Sequence, residues 1–490
     1  MTLERLGGGV AARFLFAGSL AAVMAACVLA WATLHVDDGL FVDAKAFYCA
    51  GQAVGAGRDP YLNASLTGCE IQLRTLQLHD WPGSQNIVVP VPLPPIAMLP
   101  FAVLAMLPFG AAIVLWTSLN IASAAWAAEL LRRSFPALSA PFIGTMVVLS
   151  VLPAGIRLGQ PSGIVLLAVV AAGLALRDRS RLGAIVWPAV VAIQPHVAVP
   201  LFAAMVCAPF RAARWAVVGL GAGLLAVSAV VAGRLSFEYV TRVLPAHADA
   251  NLIDASQLAF PSALALAGVA PHLALAIGDA AFVAAIVAGI VIATRVARSS
   301  GRPEALVWLT TMIGTIAAPH LHTQQLSCVL PGALLLCSVG TAPRLARAAV
   351  YGVAIPWVSL MSLKWGPGFA LAAAIGEWRT PSPRRLLAVA GLAGAFCGFL
   401  IGLALLLAHL IHPLHPVFVA PPPAGALAEQ TWAIGIAVDS VAFRTATVPA
   451  RVVTWAAELV LLGLAVAAAR FTPLHRKDVV RLNGTSVPTG

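Results

Sequence analysis

The chain has 490 residues, of which 60% are hydrophobic and only 10% charged. Soluble domains carry about 25% charged residues, so this composition cannot clothe a water-exposed surface and excludes an ordinary soluble fold. The net charge of +11 does not point to nucleic acid, because the basic residues form short clusters between apolar runs, at 132–133, 177–181, 211–214, 295–302, 344–347, 379–385 and 470–477. Clusters of this kind mark cytoplasmic loops.

Apolar runs of ~20 residues recur along the chain, each long enough to cross a hydrocarbon core as a helix that satisfies its own backbone groups. The alternating period of a barrel strand is missing. The sequence therefore predicts an all-α polytopic membrane protein with about 12–14 transmembrane or half-spanning helices, short extracytoplasmic helices and both termini in the cytoplasm. No repeat of fixed period is present, which suits a single membrane domain over residues 1–490.

Arg5 and Arg13 precede the first apolar run, 14–34. It is long for a signal core and many spans follow, so it reads as an uncleaved first helix leaving the cytoplasm. Residues 35–91 then form the first extracytoplasmic loop, which gathers Asp37, Asp38, Asp43, Lys45, Arg58 and Asp59 in a chain otherwise poor in charge. Cys49 and Cys69 both lie there, where an oxidising compartment permits a disulfide. Pro90, Pro92, Pro94 and Pro95 preclude a helix and make an extended, stiff segment.

Residues 96–131 are too long for one span and contain Pro100 and Pro108, so a short re-entrant or interfacial helix followed by a full span ending at Arg132-Arg133 is expected. Residues 139–156 run back out, and Gly159-Gln160-Pro161 turns the chain into a span over 162–176. Residues 182–194 and 197–209 are each too short to span; they predict two half-helices hinged at Gln194-Pro195-His196. A span over 215–233 leads to an expected external loop, 234–260, with Glu238, Arg242, His247, Asp249 and Asp254. Spans over 272–294 and 304–318 bring the chain to His320 and His322 on the outer side, followed by Gln324 and Gln325. Further spans are expected at 326–340, 345–363, 367–377 and 386–411, then a Pro-rich external loop at 412–449, a last span at 452–469 and a basic cytoplasmic tail at 470–490.

In this topology the acidic loop, the Gly-Gln turn, the Gln-Pro-His hinge and the two-histidine turn all fall on one face, and convergence at one face is what a site requires. Taken singly, each has a plainer reading as an ordinary polar loop or a satisfied helix end. His320 and His322, two residues apart, point to different faces of a helix and have no evident third ligand, so no metal is expected.

Asp43, Phe47-Tyr48, Ala50-Gly51, Gly57 and Pro60-Tyr61 resemble the first extracytoplasmic loop of glycosyltransferase family 87, membrane enzymes of the GT-C class that use polyprenyl-phosphate sugars. Further blocks are similar to that family: Pro94-Pro95 with Leu99-Pro100, Leu107-Pro108 and Leu115-Trp116; Gly159-Gln160; the hinge with Arg211 to Trp215; and Ala318-Pro319-His320 with Pro331. The resemblance extends over roughly residues 40–340, with Gln194 where relatives commonly have lysine and Gln324-Gln325 where an acidic residue often stands.

The resemblance implies transfer of a sugar, mannose or similar, with inversion, from a polyprenyl-phosphate donor to a hydroxyl of an envelope glycan or glycolipid. It implies a multi-pass protein of the inner (plasma) membrane, with its active site on the periplasmic or equivalent side. No cofactor is expected, since the lipid-linked sugar is a substrate. Asp43 is the expected general base, because an alcohol attacks poorly unless a positioned group takes its proton, at ~10²- to 10⁴-fold benefit. The sequence alone also allows Asp43 to be a helix cap, with Asp37 and Asp38 as rivals. Lys45, Tyr48, Arg58, Arg157, Gln160, Gln194, His196, His320, His322 and Lys364 are candidates for binding the donor phosphate or substrate. Readings of other classes are a secondary transporter or lipid flippase, or an inactive relative with a scaffolding role.

Overall fold

Proline and glycine divide the apolar chain into helices of very unequal length. A computed structural model describes residues 3–33, 40–76, 86–254, 256–361, 420, 422–423 and 425–471. The described residues form seventeen α-helices and no strand. They begin with α1 (Leu3–Thr33), α2 (Val42–Gly55), α3 (Asn63–Leu73), α4 (Leu99–Leu104), α5 (Phe109–Ser134), α6 (Ala140–Val151) and α7 (Ser162–Arg177). Then follow α8 (Gly183–Val191), α9 (Pro195–Val206), α10 (Arg211–Glu238), α11 (Leu244–Asn251), α12 (Phe260–Leu266) and α13 (Pro271–Ser300). The last four are α14 (Ala305–Ile316), α15 (Leu330–Val339), α16 (Pro343–Met361) and α17 (Ala428–Phe471).

Five segments are long and apolar enough to cross a bilayer: Arg13–Ala30, Phe109–Ser134, Arg211–Asn251, Pro271–Ser300 and Arg451–Arg470. Shorter apolar helices, including Ala140–Val151, Ser162–Arg177, Pro195–Val206 and Ala305–Ile316, pack among them. These short helices carry the core: Met146, Val169, Leu201, Trp308 and Leu334 are buried. By contrast α10 and α13 turn large apolar side chains outward, among them Leu225, Val230, Val283 and Val287, a surface that only lipid can cover at no cost.

The basic clusters meet at one end of the bundle. Arg132 lies over Phe16 of α1, Arg302 over Phe135 and Arg347 over Phe142, while Arg302 also donates to the Ser134 carbonyl across 2.9 Å. Glu129, buried, accepts from both Arg132 and Arg133 at 2.7 Å, so its charge is neutralised where the helix leaves the membrane.

Several boundaries follow proline as expected. The expected short helix before the span appears as a 3₁₀ turn, Pro95–Met98, plus α4, and the hinge separates α8 from α9 with Gln194 extended at the break. Two expected loops are instead helical. Residues 234–251 continue α10 past a kink at Gly233 (φ +40°), through a π-helical turn Tyr239–Val243, into α11. The residues of this stretch have no glycine beyond the kink, and His247, Asp249 and Asn251 line an interior hollow while Arg234 and Arg242 stay at the surface. Likewise the expected late loop, 412–449, gives way at Ala428 to α17, since the prolines at 421–423 end before it. The expected spans at 367–377 and 386–411, Lys364, Asp37, Asp38 and the tail lie outside the described residues.

Candidate active site

The site begins with a close approach that only glycine allows. Gly159 has φ +82°, and a Cβ there would overlap that of Ala44. With none, the turn after the π-helical residues Leu152–Ile156 lies flat on the start of α2. Three bonds hold it. Phe41 N–H donates to the Arg157 carbonyl at 2.8 Å, Trp116 Nε1–H donates to the Gly159 carbonyl at 2.7 Å, and Gln160 Nε2–H donates to Asp43 Oδ2 at 2.8 Å.

Asp43 makes no capping bond. The cap position is taken by Phe41 in the left-handed conformation, and the Asp43 carboxylate turns to Gln160 instead. Burial pushes its carboxyl up to about 6; the Gln160 bond and the Arg157 charge pull against this, and Asp254 adds to it. A carboxylate of that kind is still largely ionised at neutral pH yet more basic than a solvated one.

Asp43 lines a chamber of about 840 Å³. Its polar wall includes Arg157, Gln160, Gln194, His196, Asp249 and Asp254, together with His247, His320 and His322. One guanidinium and four imidazoles are the chamber's only basic side chains among the described residues. Elsewhere the lining is apolar, with Val199 of α9, Val240 of the π turn, Leu244 of α11 and Leu275 and Phe282 of α13, beside the lipid-facing helices. Such a mixture of an apolar hollow and a few convergent polar groups is typical of small-molecule sites.

The histidine turn is held from both sides. Gln257 and His322 pair in a short antiparallel bridge, and Leu258 N–H donates to the Leu321 carbonyl at 2.7 Å. His322 Nδ1 lies 2.9 Å from Ser256 Oγ, which with the Ser256 N–H also engages Asp254 Oδ1. Arg451, buried in α17, donates to the Asp254 carbonyl at 2.6 Å. His196 Nε2 and Gln194 Oε1 are buried without a partner in the protein, which leaves hydrogen-bonding capacity aimed at the hinge.

Of the residues singled out from sequence, Asp43, Arg157, Gln160, Gln194, His196, His320 and His322 meet here. Three do not. Lys45 Nζ reaches the Arg74 carbonyl at 3.1 Å. Tyr48 donates to the Leu107 carbonyl at 2.8 Å beside Phe109. Arg58 is exposed beyond the end of α2. Asp43 and Lys45 are two apart on a helix, so the faces they occupy diverge by roughly 200°. Cys49 and Cys69 are joined as a disulfide that ties α2 to α3. His247, Asp254 and Ser256, from the stretch 234–260 expected as an external loop, also line the chamber, and Gln257 bonds His320. Their one sequence signal is the density of hydrogen-bonding residues at 247–257.

A helical membrane protein in which short, broken helices enclose a carboxylate- and imidazole-lined hollow next to lipid is the class that this architecture defines. Residues 93–319 match the model of glycosyltransferase family 87. Over that stretch, a little under half of the chain, it is similar to this family of glycosyltransferases. The match is shorter than the 40–340 expected, and Asp43 precedes it, but Asp43 is gripped by Arg157 to Gln160, which lie within it. No curated protein and no solved structure matches the chain significantly.

Proposed function

We propose that the protein transfers a sugar from a polyprenyl-phosphate donor to an acceptor hydroxyl, with Asp43 as general base. The observation that carries this reading is the Gln160-held carboxylate of Asp43, set in the same chamber as one guanidinium and four imidazoles. The acceptor oxygen attacks the anomeric carbon, and its proton passes to the Asp43 carboxylate. The bond from that carbon to the phosphate oxygen breaks on the opposite side, leaving the electron pair on the phosphate, so the configuration inverts. Phosphate is a competent leaving group, and it needs fixed positive or donor groups more than an acid. Arg157 and the imidazoles supply them.

The apolar wall of Val199, Val240, Leu244, Leu275 and Phe282 suits a prenyl chain entering from lipid. The arginine clusters that pack together lie away from the chamber, which under the positive-inside rule supports an active site on the periplasmic or equivalent side of the inner membrane. Mannose or a similar sugar, and an envelope glycan or glycolipid acceptor, are the substrates this reading takes from the family resemblance.

The test is transfer, or slow hydrolysis, of a polyprenyl-phosphate sugar by purified protein in nanodiscs. Asp43→Asn keeps the Gln160 contact in outline but removes the base, so the rate is expected to fall ~10²- to 10⁴-fold with an unchanged melting temperature. A folded Asp43→Asn protein that works at near wild-type rate would remove the assigned base.

A further inference from the structure

The amide that holds Asp43 is itself held from within the membrane. Asn120 is a polar residue near the middle of α5, a membrane-spanning helix, and is only 1% exposed. A buried side-chain amide in such a helix needs partners for both of its ends. Asn120 finds them on backbone groups, and these fix which end is which. Gly163 N–H can only donate, and it reaches Asn120 Oδ1 at 3.2 Å; the Trp116 carbonyl can only accept, and Asn120 Nδ2–H reaches it at 3.1 Å. Gly163 is the second residue of α7, whose cap position is Pro161, a residue that makes no side-chain capping bond. Its N–H is one of the orphan donors at a helix start, so Asn120 caps α7 from a neighbouring helix. The two helices approach so closely that a Cβ at Gly163 would overlap the Asn120 carbonyl oxygen. One turn before Asn120, Trp116 Nε1–H donates to the Gly159 carbonyl at 2.7 Å. Residues 116 and 120 share a face of α5, and between them they pin the chain immediately before Gln160 and three residues after it.

Resting on the proposed role of Asp43, we infer that Asn120 is a positioning residue for the base: with Trp116 it fixes the turn on both sides of Gln160 and so keeps the Gln160 amide on the Asp43 carboxylate. A glutamine side chain has several rotatable bonds, so its 2.8 Å bond to Asp43 persists only while its backbone stays in place. On the near side the Gln160 N–H donates to the Gly155 carbonyl, and Phe41 N–H, donating to the Arg157 carbonyl, ties the turn to the start of α2. Beyond Gln160, Asn120 supplies the tie to α5. Loosening either α5 contact lengthens the bond between amide and carboxylate. That bond favours the ionised carboxylate, so weakening it moves protonation of Asp43 to higher pH. The other charges that act on Asp43 are Arg157 of the same turn and Asp254 beyond α11, and the variants below leave both in place.

The test reads the Asp43 carboxyl without substrate. Infrared spectra of the full chain in nanodiscs, with and without Asp43→Asn in each background, isolate by difference the protonated-carboxyl band of Asp43, whose midpoint is followed on pH titration. Gln160→Leu is expected to raise the midpoint by roughly one unit. Asn120→Leu, close in size but without hydrogen-bonding groups, is expected to raise it by part of that shift. Trp116→Phe keeps a ring, loses only the donor and should act likewise from the other side of Gln160, which answers the case in which Asn120→Leu does not fold. Asn120→Leu combined with Gln160→Leu should move the midpoint no further than Gln160→Leu alone. A lower melting temperature with an unmoved midpoint in Asn120→Leu and Trp116→Phe is what a purely structural contact between α5 and α7 gives, and it overturns the inference. So does an unmoved midpoint in Gln160→Leu, or a double variant that shifts beyond it. Transfer from polyprenyl-phosphate mannose tests the reading beneath: if the midpoints move as expected and the acid limb of the rate does not follow them, Asp43 is not the base, while the brace around Gln160 stands.

Discussion

Gly159→Ala puts the whole arrangement around Asp43 under strain with one methyl group. A Cβ at 159 would overlap the Ala44 Cβ and lie 3.1 Å from the Ala44 nitrogen, so the turn and α2 must part by roughly 1 Å to restore carbon contact near 3.5 Å. The positive φ of +82° adds about 1–2 kcal/mol for an L side chain, and relief of the overlap adds about 1–3 kcal/mol. The same shift stretches the 2.8 Å bond from Gln160 to Asp43, and a misplacement of ~1 Å at reacting groups can cost ~10²-fold in rate. Gly57→Ala is the control, because Gly57 has φ +67° and nothing within 4 Å of its would-be Cβ; it bears the dihedral cost without the overlap. Thermal unfolding in nanodiscs and transfer rate are measured on both variants. Gly159→Ala should lose more stability than Gly57→Ala and about two orders of magnitude in rate, whereas Gly57→Ala should keep its rate. Equal melting temperatures and equal rates for the two would refute the account of how the turn seats Asp43.

Two other perturbations follow from the same geometry. With the Asp43 carboxyl pushed up to about 6, activity should fall roughly tenfold per unit as pH drops below that value. Gln160→Leu removes the bond that favours the ionised form, so the acid limb of the pH–rate profile should move to higher pH; a limb that stays in place would mean that another group titrates. The disulfide between Cys49 and Cys69 closes a loop of 20 residues, so Cys69→Ser or reduction should lower stability by about 2–4 kcal/mol. Thermal melts with and without reductant measure it, and no shift in the wild type would show that α2 and α3 hold together without the bond.

The membrane class was legible in the letters because composition and long apolar runs depend on no distant contact. So were the break at Gln194-Pro195 and the turn at Gly159-Gln160, since proline removes a donor and glycine alone accepts φ +82° wherever they occur. These local signals also located seven residues of the chamber. The stretch 234–260 shows where such signals run out. Residues 234–260 carry enough polar side chains to look like a solvated loop, but in the fold 234–251 are helical, and His247, Asp249, Asn251, Asp254 and Ser256 face an internal hollow. Hydropathy along a chain reports that a residue avoids lipid, not whether it meets water or a cavity. Lys45 and Tyr48 lie outside the chamber for a different reason: neighbours in sequence on α2 do not share its face.

What the sequence determined by itself was the solvent, the breaks between helices and the residue types that a sugar-transfer site requires. Which of those residues meet was decided by tertiary structure, because the contacts that matter join positions 117 apart at Asp43 and Gln160, 73 apart at His247 and His320, and 63 apart at Gln257 and His320. A hydrogen bond is directional over about 3 Å, and no local rule of propensity or period carries information across that much chain.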